Sequence, residues 1–198
     1  MSYLVRKTDG TSFLHIHIPK NAGRCILYWL EQLKSVEDIH KIEHGSVSDF
    51  DSFRYSYSFA IVRNPYSRIE SLYKEAFRIL KTRRPVANYI ESAGFYLKDW
   101  EKGFNYFVEE ILPRRIFYSF LKPQFSYISK DNKIDVNYLI HFENISKEFT
   151  KIQQVENCFN SLPYIGKGVD NQEKLTDTSK EIIQNYYTED FLYLGYKK

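Results

Sequence analysis

The chain has 198 residues, of which 43% are hydrophobic and 27% charged, with 8 glycines and 6 prolines. That is the size of a single folded domain, and the composition excludes disordered, collagen-like and coiled-coil chains. A net charge of +3 suits an anionic ligand and falls short of a dedicated nucleic-acid binder. Aromatic residues are in excess, at 17% with 17 Tyr and 15 Phe. The two cysteines, Cys25 and Cys158, form neither a CxxC motif nor a disulfide framework, so a reducing compartment is expected. The N-terminal stretch lacks the apolar centre of a signal peptide, and no apolar run is long enough to span a membrane. The expectation is one soluble, cytoplasmic domain over residues 1–198, with no nucleic-acid partner and no integral membrane segment; its oligomeric state has no signature in the sequence.

In chain order, residues 13–18 (FLHIHI) read as a buried strand closed by Pro19. A PKNAGR turn follows, then residues 25–33 (CILYWLEQL) at helical spacing. Residues 58–62 (SFAIV) read as a second buried strand. Asn64-Pro65 then suits an N-cap with proline at the first helical position, and Ile69, Leu72, Tyr73, Ala76, Phe77 and Leu80 continue the helix. Residues 85–120 are helical by pattern and rich in aromatics. Residues 138–142 (YLIHF) read as a third strand, and Asn144 or Ser146 caps a helix reaching about residue 159. After a loop over 162–177, Thr178-Ser179-Lys180-Glu181 reads as a capping box before a final helix. Strands alternating with helices predict a three-layer α/β/α domain with a mostly parallel sheet. In such sheets ligands bind beyond the carboxyl ends of the strands, which singles out the turns after Ile18, Val62 and Phe142.

The first of these turns lacks the Walker A pattern, yet its physics is similar. A helix N-terminus offers unpaired amides and partial positive charge, Ala22 and Gly23 let the backbone approach an anion, and Lys20 adds an ammonium. An ordinary strand-to-helix turn with a solvated lysine is the plainer reading. At the second turn, Arg63 ends a buried strand with a guanidinium suited to bidentate phosphate binding, and Ser71 follows eight residues on. The plainer reading there pairs Arg63 and Arg68 with Glu70 or Glu75 on the surface.

Taken together, PKNAGR and FAIVRNPYSRIESLY resemble the paired cofactor-binding motifs of the sulfotransferases. The match is to the carbohydrate branch that includes heparan sulfate 2-O-sulfotransferases and many short bacterial members. The resemblance implies a P-loop-like sulfotransferase fold and an enzyme using PAPS (3′-phosphoadenosine 5′-phosphosulfate), with PAP as product and no metal. It puts Lys20 in the catalytic position, gives the 5′-phosphosulfate to the first motif and the 3′-phosphate to Arg63 and Ser71. The cofactor residues it implies are Lys20, Asn21, Ala22, Gly23, Arg24, Cys25, Arg63, Ser71, Lys167 and Gly168. His44, in His44-Gly45-Ser46-Val47-Ser48, becomes the general base, with Ser46 orienting it or the acceptor. Lys122-Pro123-Gln124, Phe142-Glu143-Asn144 and the closing Tyr187 to Tyr196 pattern also fit.

Two places depart from the family. Arg24 and Cys25 stand where hydroxyls usually donate to the phosphate, and Ile165-Gly166-Lys167-Gly168 instead resembles the basic-glycine loop of cytosolic sulfotransferases. The acceptor implied is a carbohydrate-like hydroxyl. The aromatics between Phe95 and Tyr127, among them Tyr96, Trp100, Phe104, Tyr106, Phe107, Tyr118 and Phe125, are candidates to line its cleft. The competing readings are a PAP- or nucleotide-binding protein without turnover and an ATP-using phosphotransferase. A more remote one is a zinc protease, because His40-Lys41-Ile42-Glu43-His44 matches HxxEH, which on a helix would present two imidazoles on one face. His15 and His17 share one strand face, with a metal pair or packed imidazoles as alternatives.

Overall fold

The computed structural model describes residues 1–43, 45–82, 87, 91, 96–114, 118–160, 162–163 and 173–198. The chain opens with β1 (Ser2–Lys7) and β2 (Ser12–Ile16), then α1 (Gly23–Leu30), β3 (Val36–Ile42) and a 3-10 turn over Val47–Phe50. Next come β4 (Tyr57–Val62) and α2 (Pro65–Lys81), followed by the short helices α3 (Leu97–Trp100) and α4 (Phe104–Tyr106). A π-turn over Phe107–Ile111 leads on towards α5 (Tyr118–Leu121) and α6 (Phe125–Ile128). A small hairpin of β5 (Ser129–Lys130) and β6 (Lys133–Ile134) precedes β7 (Tyr138–His141). The chain closes with α7 (Ile145–Glu148), α8 (Thr150–Val155), α9 (Asp177–Tyr186) and α10 (Thr188–Tyr193).

The protein is mixed α/β. Its main sheet has the order β3-β1-β2-β4-β7. Where the alternation of elements predicts a mostly parallel sheet, the sheet is mixed: β2–β4 and β4–β7 are parallel, whereas β1–β2 and β1–β3 are antiparallel. The reason lies in the first residues of the chain. Asp9-Gly10 makes a tight turn, with Gly10 at φ 81 and the Asp9 carboxylate accepting from the Thr11 amide, so β1 folds back on β2 as a hairpin.

The chain forms two compact units, each with its own core. The first, Met1–Asn64 with Pro123–Gly166, holds the sheet. β4 is buried along its whole length, as its run of apolar residues requires. On one sheet face, Tyr3, His15 and Phe59 form a cross-strand row with ring centroids 5.8 and 4.8 Å apart, and Phe13 stacks on Tyr57 at 5.3 Å in the next row. α1 places Ile26, Trp29 and Leu30 on this face at helical spacing, with Trp29 edge-on to Phe149 at 5.0 Å. At the far end of the sheet, Glu156 accepts from the Tyr57 hydroxyl at 2.7 Å and from Lys7 Nζ at 3.4 Å. Burial and that bond to Glu156 push the Tyr57 phenol far above its usual range.

The second unit combines Pro65–Lys122, which lies in the connection from β4 to β7, with Lys167–Lys198, which follows β7 in the chain. α2 buries Ile69, Leu72, Tyr73, Ala76 and Leu80 as its spacing predicts, together with Arg68. α9 is capped two residues earlier than the capping-box reading: the Thr176 hydroxyl accepts from the Ser179 amide. Among the described residues, no helix is long and apolar enough to cross a membrane.

Candidate functional site

The turn between β2 and α1 is held in a conformation that its residue types do not favour. Lys20 and Ala22 both lie in the left-handed region, at φ 71 and 59. For residues with a side chain this costs on the order of 1–3 kcal/mol each and persists only where the surroundings enforce it. Asn21, between them, supplies the enforcement. It is 1% exposed, and its Nδ2 donates to Ile61 O at 2.8 Å and to Gln124 Oε1 at 2.7 Å. Its own amide donates to Ile18 O at 3.2 Å.

With Asn21 pinned, Ala22 caps α1 without a side-chain bond, and the first turn of α1 carries no acid. The partial positive charge at this helix start is therefore not neutralised from within the helix. Arg24 is exposed and Cys25 half-buried on that same turn. Gly23 is required by a neighbour: a methyl group there would run into His17 Cε1, so the imidazole rests directly on the Gly23 backbone.

The second turn is fastened by three side chains. Gln124 Oε1 accepts from the Arg63 amide at 2.8 Å, and Gln124 Nε2 donates to Arg63 O at 2.7 Å. Phe142, just beyond β7, lies under the Arg63 guanidinium at 4.4 Å, and Glu143 Oε1 accepts from the Asn64 amide at 2.8 Å. Arg63 Nη1 in turn donates to Lys20 O at 3.3 Å. The two turns thus lie together at the carboxyl ends of the paired parallel strands β2 and β4. Lys20, Asn21, Ala22, Gly23, Arg24, Cys25 and Arg63 are all brought into this corner of the first unit. The anchoring roles of Gln124, Phe142 and Glu143 are not legible from residue type; their only sequence signal is membership of the PQ and FEN segments.

Other candidates fall elsewhere. Ser71 is half-buried on α2, in the second unit. His44, Lys167 and Gly168 lie outside the described residues. Ser46 is engaged locally, its amide and hydroxyl both donating to the Asp49 carboxylate at 2.7 and 2.8 Å. His40 sits on strand β3, so the helical presentation that HxxEH needs is not formed, and no metal-holding cluster occurs among the described residues. His15 packs in the aromatic row, 6.1 Å from the His17 ring.

Glu70 pairs with Lys74 at 2.7 Å and Glu75 with Arg78. Arg68 is 1% exposed and donates to Phe120 O at 2.9 Å and Lys122 O at 3.1 Å. Among the described residues, many of the aromatics are core. Trp100, Phe104 and Phe107 are buried in the second unit, and Phe125 and Tyr127 are buried as well. Of the cleft candidates, Tyr96 is exposed and Tyr106 half-buried, each with a lysine ammonium over its ring. No protein-family model, curated protein or solved structure matches the chain.

Proposed function

We propose that the chain is a PAPS-dependent O-sulfotransferase of P-loop-like fold, acting on a carbohydrate-like hydroxyl in a reducing, cytoplasmic setting. One observation carries the reading: the turns that separately resemble the two cofactor motifs meet at the carboxyl ends of adjacent strands, Arg63 bonding to the Lys20 carbonyl. The donor set fits a doubly anionic ligand, since Lys20, Arg63, Arg24 and the start of α1 are all positive or hydrogen-donating. Glu143, the acid beside them, is engaged by the Asn64 amide.

PAPS supplies the activated sulfuryl group. Lys20 and the α1 amides would hold its phosphosulfate and stabilise the negative charge that develops on the leaving group. His44 takes the proton from the acceptor hydroxyl as the new oxygen–sulfur bond forms. Arg63 grips the 3′-phosphate and orients the nucleotide. Arg24 contributes a charged donor in place of the missing hydroxyl.

The test is transfer of labelled sulfate from PAPS to a panel of glycans. Lys20→Ala should lower the rate by about 10²–10³ while leaving the fold intact. Near-native transfer by that variant overturns the mechanism. Tight binding of PAP by the native chain with no transfer to any hydroxyl acceptor would favour a nucleotide-binding protein without turnover.

A further inference from the structure

Gln124 is fully buried, and it is a side chain to which both turns of the site are bonded. Its carboxamide treats Arg63 as a neighbouring strand would, accepting from the amide and donating to the carbonyl of the same residue. The oxygen that accepts from the Arg63 amide also accepts from Asn21 Nδ2. This pattern fixes which end of the carboxamide is oxygen, because the reverse would set its NH2 against two donors. Asn21 is the residue that pins the left-handed Lys20 and Ala22, so the shape of the first turn and the position of Arg63 meet at one amide group.

We propose that Gln124 is a positioning residue that locks the two turns into one preorganised site, so that a ligand with two separated anionic groups meets both at once. The proposal rests on the anion-binding reading of these turns given above. A ligand held at both ends gains from the second contact only if the spacing is already set. A ligand with one anionic group needs one turn and is nearly indifferent to the lock.

The experiment measures binding of adenosine 3′,5′-bisphosphate, adenosine 5′-monophosphate and adenosine 3′-monophosphate to the full chain by calorimetry. Gln124→Met removes all of these bonds at similar volume. Gln124→Glu keeps the accepted bonds but loses the donor and sets a carboxylate against Arg63 O, and it carries the test if the first variant does not fold. Native protein should prefer the bisphosphate. In Gln124→Met that preference should shrink about 30–100-fold, within the range by which linked contacts exceed single ones, while each monophosphate shifts less than about threefold. Gln124→Glu should fall between the two.

A folded variant that keeps the native preference overturns the lock. So does an equal loss for all three ligands, which would mark Gln124 as merely structural. Failure of the native chain to bind the bisphosphate overturns the anion-site reading itself, and the lock with it.

Discussion

Burial between Tyr3 and Phe59 holds the His15 imidazole well below its ordinary value of 6.5, and repulsion from His17 and the N-terminal ammonium acts in the same direction. The folded chain therefore keeps His15 neutral at a pH where the unfolded chain protonates it. Above about pH 7.5 both states are neutral and the group contributes nothing to the pH dependence. As pH falls through 6.5, only the unfolded state gains the proton. Stability then drops by up to about 1.4 kcal/mol per pH unit until the folded value is reached. Denaturation midpoints measured at pH 7.5 and 5.0 should show this loss. His15→Phe, which keeps a ring in the row, should be less acid-sensitive than the native chain. Equal acid sensitivity in the two proteins would show that His15 is not the source.

At the scale of elements, the strand-to-helix units were legible because each combines a buried strand, a turn and a helical apolar stripe. β2, β4, β7, α1 and α2 all lie where periodicity puts them, within a few residues. β1 and β3 escaped for different reasons. β3 is an edge strand whose Glu37, Asp38, His40 and Lys41 face solvent, so no apolar run marks it. β1 is marked by the Asp9-Gly10 hairpin signal rather than by its own apolar residues. The site was half legible. Lys20 and Arg63 could be named from charge at strand ends, but the clamp through Asn21 and Gln124 joins residues far apart in sequence, and a lone buried glutamine has no periodicity to betray it.

The start of α1 supplies the prediction at this scale. Gly23→Ala forces a methyl group into the His17 ring, which must shift to admit it. The expected loss is about 1–3 kcal/mol, the usual range for overpacking. His17→Ala in the same chain should recover most of it, because the clash is then gone. Chemical denaturation of the two single variants and the double variant checks this. An additive double variant would mean that His17 is not what requires glycine at 23.

At the scale of the whole molecule, the excursion from Pro65 to Lys122 is closed at its base within each unit. In the first unit Gln124 bonds to Arg63, and in the second Arg68 bonds to Lys122 O. While either unit is folded, the ends of this stretch are held for the other. If the second unit unfolds, the first must close a free loop of roughly 60 residues, at an entropic cost of about 3–4 kcal/mol. The units are therefore coupled through the chain itself. Each contains a single buried tryptophan, Trp29 in the first and Trp100 in the second, so single-tryptophan variants report on them separately. Trp100→Phe and Trp29→Phe proteins should unfold in overlapping transitions. Ile183→Ala, at a fully buried position of α9, should lower stability by about 2–5 kcal/mol. It should move the midpoint read by Trp29 as well as the one read by Trp100. A shift confined to Trp100 would show that the first unit holds its loop ends without help from the second, and the coupling argued from chain connectivity would be wrong.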